Sequence, residues 1–222
     1  MVPILIHRRK YEEIPVRDKD IVYYLQRSNK SSHNSSRKAL TPDLKIQLDR
    51  MKSIAVTLYE PKGIFKIFNA SELPFRECFA EAERVALAIV TIGKSLPLEA
   101  NNRMKSGEYV DGVILDAFGS AGVEQVADQV NREIVDIVKS QNFEYSQRFS
   151  PGYCQWSVQD QELIFNNLPS EDIGVSLTEG YMMKPIKSVS FAINIGKDIK
   201  KSRWETRCKS CVERGQCTYR MQ

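Results

Sequence analysis

The sequence predicts an α+β fold, and three observations carry that expectation. Segments with helical periodicity interrupt well-separated extended segments. One stretch, 108–141, keeps a helical stripe far longer than its neighbours. Near the end, Val189, Phe191, Ile193 and Ile195 alternate with Ser188, Ser190, Ala192 and Asn194, the period-two signature of a half-buried strand. Helices grouped around strands that can pair antiparallel define this class.

The elements follow in chain order. "VPILIH" reads as a short strand and "VRDKDIVYYLQR" as a helix. "SNKSSHNSSRK" (28–38) is Ser/Asn/Lys-rich with nothing to bury, and reads as a flexible loop. Thr41 followed by Pro42 marks a helix start, and Leu44, Ile46, Leu48, Met51, Ile54 and Leu58 roughly keep a helical stripe behind it. "GIFKIFNA" reads as a strand. "RVALAIVTIG" (84–93) is continuously apolar, which fits a buried strand.

The long helix, 108–141, carries Val110, Ile114, Ala117 and Ala121, then Val123, Val126, Val130, Ile134 and Ile137, so it is expected to be buried over much of its circumference. In its middle stands "GSAG" (119–122). Each mid-helix glycine costs about 1 kcal/mol against alanine, so close packing on the sheet or room for a ligand must justify it. Glu124 shares a face with Ala117 and Ala121. It sits either half-exposed at the edge of the stripe or pointed into a site. "IGVSLTEGYMMKPIKSVSFAINIG" (173–196) reads as strand, turn around Pro185, strand, the two strands free to pair antiparallel.

Composition bounds the function. The chain has 222 residues, 42% hydrophobic and 27% charged, with a net charge of +4. That suits a globular protein with a real core. The basic runs "HRRK" (7–10) and "KDIKKSR" (197–203) have no interleaved aromatics, so they read as solvated surface and no nucleic-acid partner is expected. No apolar run approaches the ~18 residues of a membrane span. The N-terminus places its charges after a very short apolar piece, the reverse of a secretory signal, so a cytoplasmic location is the default. An odd count of five cysteines (Cys78, Cys154, Cys208, Cys211, Cys217) argues against a disulfide framework. We expect one domain over 1–200 and a Cys-rich tail over 201–222.

In "RFSPGYCQWSVQDQELIF" (148–165) an arginine stands just before a Pro-Gly-Tyr turn. The arginine either salt-bridges a surface acid or belongs to a ligand loop. "AIVTIG", "ILDAFGSAGVEQVAD", this stretch and "LTEGYMMKPIKSVSF" occur in that order. Together they resemble the activation domain of cobalamin-dependent methionine synthase, in particular its short stand-alone relatives. The match is clear over about 84–196; the first 80 residues match only in length and helical character.

The resemblance implies a twisted, mainly antiparallel sheet with flanking helices. It also implies a domain that binds S-adenosylmethionine and presents its methyl group to a cobalamin held elsewhere. There, one-electron reduction of cob(II)alamin gives cob(I)alamin, which methyl transfer traps as methylcobalamin. The implied ligand residues are Arg148 for the carboxylate, Glu124 for the ammonium, and Gly152, Tyr153 and the backbone at Gln155 around the adenosyl part. A guanidinium pairs a carboxylate bidentately, and glycine permits close backbone approach.

The chain lacks an Asp-x-His-x-x-Gly pattern, having only His7 and His33, so the corrinoid is expected on a partner. That partner would be a cobalamin-binding methionine synthase or another corrinoid protein, with an electron donor such as flavodoxin or ferredoxin. After the tyrosine this chain has "CQWSVQDQ" where the full-length enzyme carries Pro-Ala-Cys-Pro. The alternative expectation is therefore an adaptor that docks a corrinoid protein or transfers electrons and no longer binds S-adenosylmethionine.

The tail "CKSCVERGQC" places Cys208, Cys211 and Cys217 close together. Three thiolates need a fourth ligand for tetrahedral zinc or for a [4Fe-4S] cluster. Cys154 is the preferred fourth and Cys78 the reserve; unliganded thiols are the plain alternative.

Overall fold

The computed structural model describes residues 5–8, 15–28, 41–153 and 156–199. Its helices are α1 (Asp18–Ser28), α2 (Pro42–Leu58), α3 (Ser95–Lys105), α4 (Tyr109–Ser140) and α5 (Gln161–Asn167). Its strands are β1 (Leu5–Arg8), β2 (Lys62–Asn69), β3 (Arg84–Thr91), β4 (Glu144–Tyr145), β5 (Ser176–Leu177), β6 (Met183–Lys184) and β7 (Ser188–Gly196). Five of the strands form one antiparallel sheet in the order β1-β2-β3-β7-β4, and β5 pairs with β6 apart from it. The expected α+β class, with an antiparallel sheet and flanking helices, is what forms. Among the described residues no helix is long and apolar enough to cross a membrane.

The centre is β3. Val85 through Val90 are fully buried. A strand covered on both faces loses the apolar–polar alternation, which is why its sequence reads as one apolar run. Ala86, Ala88 and Val90 join the core under the helices, with Phe65, Phe191 and Ile193. Val85, Leu87 and Ile89 join a second core on the opposite face, with Ile64, Phe68, Ala192, Leu163, Ile164 and Ile173.

That second layer corrects two expectations. The strand β7 is not half-buried: Ser190 and Ala192 lie at 2% and 0% exposure. Segment 158–173 covers that face, and Ser190 Oγ donates to Gln161 Oε1 at 2.6 Å within it. Nor do the two halves of 173–196 pair with each other. The first half closes on itself as the β5–β6 hairpin, with Ser176 opposite Lys184, while β7 runs antiparallel to β3 from Ser188↔Thr91 to Ile195↔Arg84.

Thr41 caps α2, its hydroxyl accepting from Leu44 N at 3.3 Å. Leu48 and Met51 are buried as the stripe requires, but Ile46 is 70% exposed. On α4, Ile114 through Ile134 keep the predicted burial, whereas Val110 lies half-exposed on the helix's outer side. The sequence pattern gave no warning of α3, because Pro97 interrupts its stripe. Pro97 falls in the first turn, where its missing N–H is unneeded. Arg103 pairs with Glu99 one turn back on α3 at 2.7 Å and ties α3 to the start of α4 through Glu108 at 2.7 Å and Asp111 at 3.3 Å; its hydrogen bonds to Glu99 and Glu108 raise its pKa above the ordinary arginine value. The loop expected over 28–38 lies outside the described residues after Ser28.

Close packing accounts for the small residues of 119–122. A Cβ on Gly122 would stand 2.7 Å from Tyr59 Cε2, and one on Gly119 would stand 3.3 Å from Lys187 Cγ. The Tyr59 hydroxyl donates to Gly122 O at 3.1 Å in the buried core. Gly122→Ala is therefore expected to destabilise the fold by about 1–2 kcal/mol, overpacking outweighing the gain in helix propensity. Tyr59→Phe should cost about 1 kcal/mol through the lost hydrogen bond. Urea unfolding followed by far-UV circular dichroism checks both.

Candidate functional site

Arg148 is aimed by the sheet edge on which it lies. Ser146 N donates to Asn194 O at 2.9 Å, and Asn194 N donates to Ser146 Oγ at 3.0 Å. Phe149 and Ala192 then exchange backbone hydrogen bonds of 3.0 and 2.7 Å as an isolated bridge. Successive side chains on an extended segment point to opposite faces. Phe149 enters the second core, where it meets Trp156 at 5.1 Å and Phe79 at 6.1 Å between ring centroids. Arg148 therefore turns the other way, toward α4, with its guanidinium 5.7 Å from the centroid of Phe191.

On α4 it meets two carboxylates. Arg148 Nη2 donates to Glu124 Oε2 at 2.7 Å and lies 3.0 Å from Asp128 Oδ1. Residues four apart on a helix are neighbours on one face, so Glu124 and Asp128 reach the same nitrogen. The side chains are 26%, 40% and 46% exposed respectively, a half-buried cluster rather than a core ion pair. Arg148 Nη1 is buried and has no hydrogen-bond partner. Two carboxylates against one guanidinium leave one negative charge in excess.

The same spacing continues toward the start of the helix. Asp116 Oδ1 lies 2.7 Å from Lys187 Nζ, which also donates to Ser120 Oγ at 2.8 Å. Asp116, Ser120, Glu124 and Asp128, every fourth residue, form one polar ridge, with a cation from the β7 side at each end. Asp128, Asp116 and Lys187 were not foreseen as site residues. The four-residue step from Glu124 was the signal that could have found the two aspartates; no sequence signal pointed to Lys187.

Arg148 and Glu124, 24 residues apart, are thus brought into contact. The arginine salt-bridges an acid, and that acid is Glu124, the residue that the resemblance implies for the ligand ammonium. Gly152 and Tyr153 occupy the next turn. It closes through Gly152 N to Trp156 O at 2.8 Å and Trp156 N to Tyr153 O at 3.0 Å, and Ser150 Oγ anchors it to Ser190 O at 2.6 Å. Gly152 has φ +88°, a left-handed conformation that explains the glycine; a Cβ there would meet nothing nearer than Val158 at 3.7 Å. Tyr153 is half-exposed.

Gln155, Cys154, Cys208, Cys211 and Cys217 lie outside the described residues. Cys78 is half-buried against the second core, its carbonyl accepting from Asn194 Nδ2 at 2.6 Å. Among the described residues no group of three or more His, Cys, Asp or Glu side chains could hold a metal ion.

No protein-family profile matches this chain, and no curated protein does. A solved structure does match: the MetH reactivation domain bound to AdoHcy. It superposes with a TM-score of 0.63 over 96% of this chain and 86% of that one, at 12% sequence identity. The two chains share a fold.

Removing the cation should unmask the repulsion between its two acids. Arg148→Ala is expected to cost about 1–2 kcal/mol, as its contact over Phe191 is lost as well. Glu124→Gln or Asp128→Asn alone should each cost less than about 0.5 kcal/mol, since a half-exposed pair contributes little and the other acid remains. Denaturant unfolding at low and moderate salt measures all three.

Proposed function

We propose that this chain binds S-adenosylmethionine at Arg148 and Glu124 and supports reductive methylation of cob(II)alamin carried by a partner, as the reactivation component of a split methionine synthase. The observation that carries this reading is the convergence of Arg148 and Glu124 in the fold of a reactivation domain solved with AdoHcy. S-adenosylhomocysteine is what S-adenosylmethionine becomes once its methyl group has left.

The residues fit the ligand's chemistry. Arg148 Nη1, buried and unpaired, offers a donor pair with Nη2 for a carboxylate. Glu124 is then released to accept from the ligand ammonium. The turn at Gly152 and Tyr153 offers backbone groups and a ring face to the adenosyl part; the backbone at Gln155 belongs to this reading through the resemblance alone. The local excess of negative charge suits a ligand that carries one net positive charge. No side chain acts as general acid or base in this scheme. The contribution is orientation: holding the sulfonium methyl in one place turns a bimolecular encounter into a directed one. One electron from a donor such as flavodoxin or ferredoxin, together with that methyl, returns the partner's cobalt to its methylated state.

A second reading is favoured by the Cys-x-x-Cys tail and the divergent "CQWSVQDQ". In it the chain is an adaptor that docks a corrinoid protein, with Cys208, Cys211, Cys217 and Cys154 holding zinc or an iron–sulfur cluster. Such a cluster would supply a one-electron relay.

Calorimetry on anaerobically purified protein separates the two. The first reading expects saturable one-site binding of S-adenosylmethionine, lost in Arg148→Ala and Glu124→Ala, with corrinoid-protein association intact in both. An absence of binding by the folded wild type overturns it in favour of the adaptor. Iron, sulfide and zinc assays on the same sample then decide the metal: stoichiometric iron and sulfide indicate a cluster, one zinc a structural site, neither a tail of unliganded thiols.

A further inference from the structure

Asp128 lies on the same nitrogen of Arg148 as Glu124, and a zwitterionic amino-acid group leaves it without an ion-pair partner. The ligand carboxylate takes Arg148 and the ligand ammonium takes Glu124. Those four charges cancel in pairs. The carboxylate of Asp128, 3.0 Å from Arg148 Nη2, is then one charge more than the amino-acid end requires. No other cation forms an ion pair with Asp128 among the described residues. Lys187 is held by Asp116 and Ser120, and Arg132, one turn beyond Asp128, keeps its charge but directs its guanidinium to Gln129 Oε1 at 2.8 Å.

We propose that Asp128 is the residue by which the site selects a cationic sulfonium over a neutral thioether, and so prefers the methyl donor to its spent form. The inference rests on the ligand reading given above. The donor and its demethylated product have the same amino-acid group and the same adenosine. They differ by one methyl and one positive charge. Contacts to the shared parts bind both alike, so discrimination must come from charge or from contact with the methyl itself. With Glu124 and Arg148 alone the amino-acid end is electrically balanced. Asp128 adds one negative charge beside the amino-acid end, and of the two ligands only the sulfonium form carries a matching positive charge. Its half-exposed position makes its attraction moderate and salt-sensitive. The spent ligand, having lost the matching charge, is held less tightly and makes way for the next donor.

The test compares equilibrium binding of S-adenosylmethionine and S-adenosylhomocysteine to the wild type, Asp128→Asn and Asp128→Glu at one ionic strength. The wild type should prefer the sulfonium. Asp128→Asn should weaken S-adenosylmethionine by about three- to ten-fold while leaving S-adenosylhomocysteine unchanged or tighter, and Asp128→Glu should restore the ratio. Raising the salt should narrow the wild-type ratio and leave that of Asp128→Asn flat. If Asp128→Asn weakens both ligands equally, the residue only steadies Arg148 and the proposal is overturned. An unchanged ratio with unchanged affinities overturns it as well, while the ligand reading stands. If neither ligand binds the wild type, the ligand reading falls and takes this proposal with it.

Discussion

The molecule is organised by the burial of β3 on both faces. A strand with no solvent face cannot hydrogen-bond its backbone to water, so a neighbour must satisfy each edge. The strand is paired along its whole length by β2 on one side and β7 on the other. The helical side is kept shallow by Ala86 and Ala88, which lets α4 lie close, while Tyr59, at the end of α2, leaves no room for a side chain at Gly122. Once α4 is fixed at that distance, its polar ridge has one possible position relative to the sheet edge. The meeting of Glu124 and Asp128 with Arg148 follows from how the core is packed.

Half of that arrangement was readable from the chain and half was not. The capping threonine and proline of α2, the apolar run of β3 and the long stripe of α4 announce themselves because each follows from local chemistry. The burial of β7 on its serine face does not. Alternation reports the chemical character of two faces, and a second layer with its own polar groups, such as Gln161, can cover a hydroxyl-bearing face without leaving it unsatisfied. Likewise β5 and β7 both look able to pair, and only the prior claim of β3 on β7 settles which partner each receives. Short α3 was hidden by a proline whose helical position, not its presence, decides its effect.

At the site, residue types were legible and their relations were not. Arg148 and Glu124 stood out through order and spacing. That they would first bind each other depends on the distance between α4 and the sheet edge, which is a property of the core. Asp128 carries no motif. It matters because it lies one helical turn from Glu124 and within reach of the same nitrogen. Ion pairs at half-exposed positions contribute little to stability. Their interest lies in how readily they exchange partners: a guanidinium bound to side-chain carboxylates is already oriented to take one from a ligand.

The bridge between Phe149 and Ala192 has a consequence for how such a chain can change over time. Two adjacent residues are divided between two environments, an aromatic core and a charged groove, by a single pair of backbone hydrogen bonds. A length change of one residue between Tyr145 and Phe149 exchanges their destinations, driving a guanidinium against Phe79 and Trp156 and a phenyl ring against two carboxylates. Substitution can alter this groove by degrees, but insertion or deletion removes it in one step. The reading frame of a five-residue edge is therefore a heritable constraint as strict as the identity of the arginine itself.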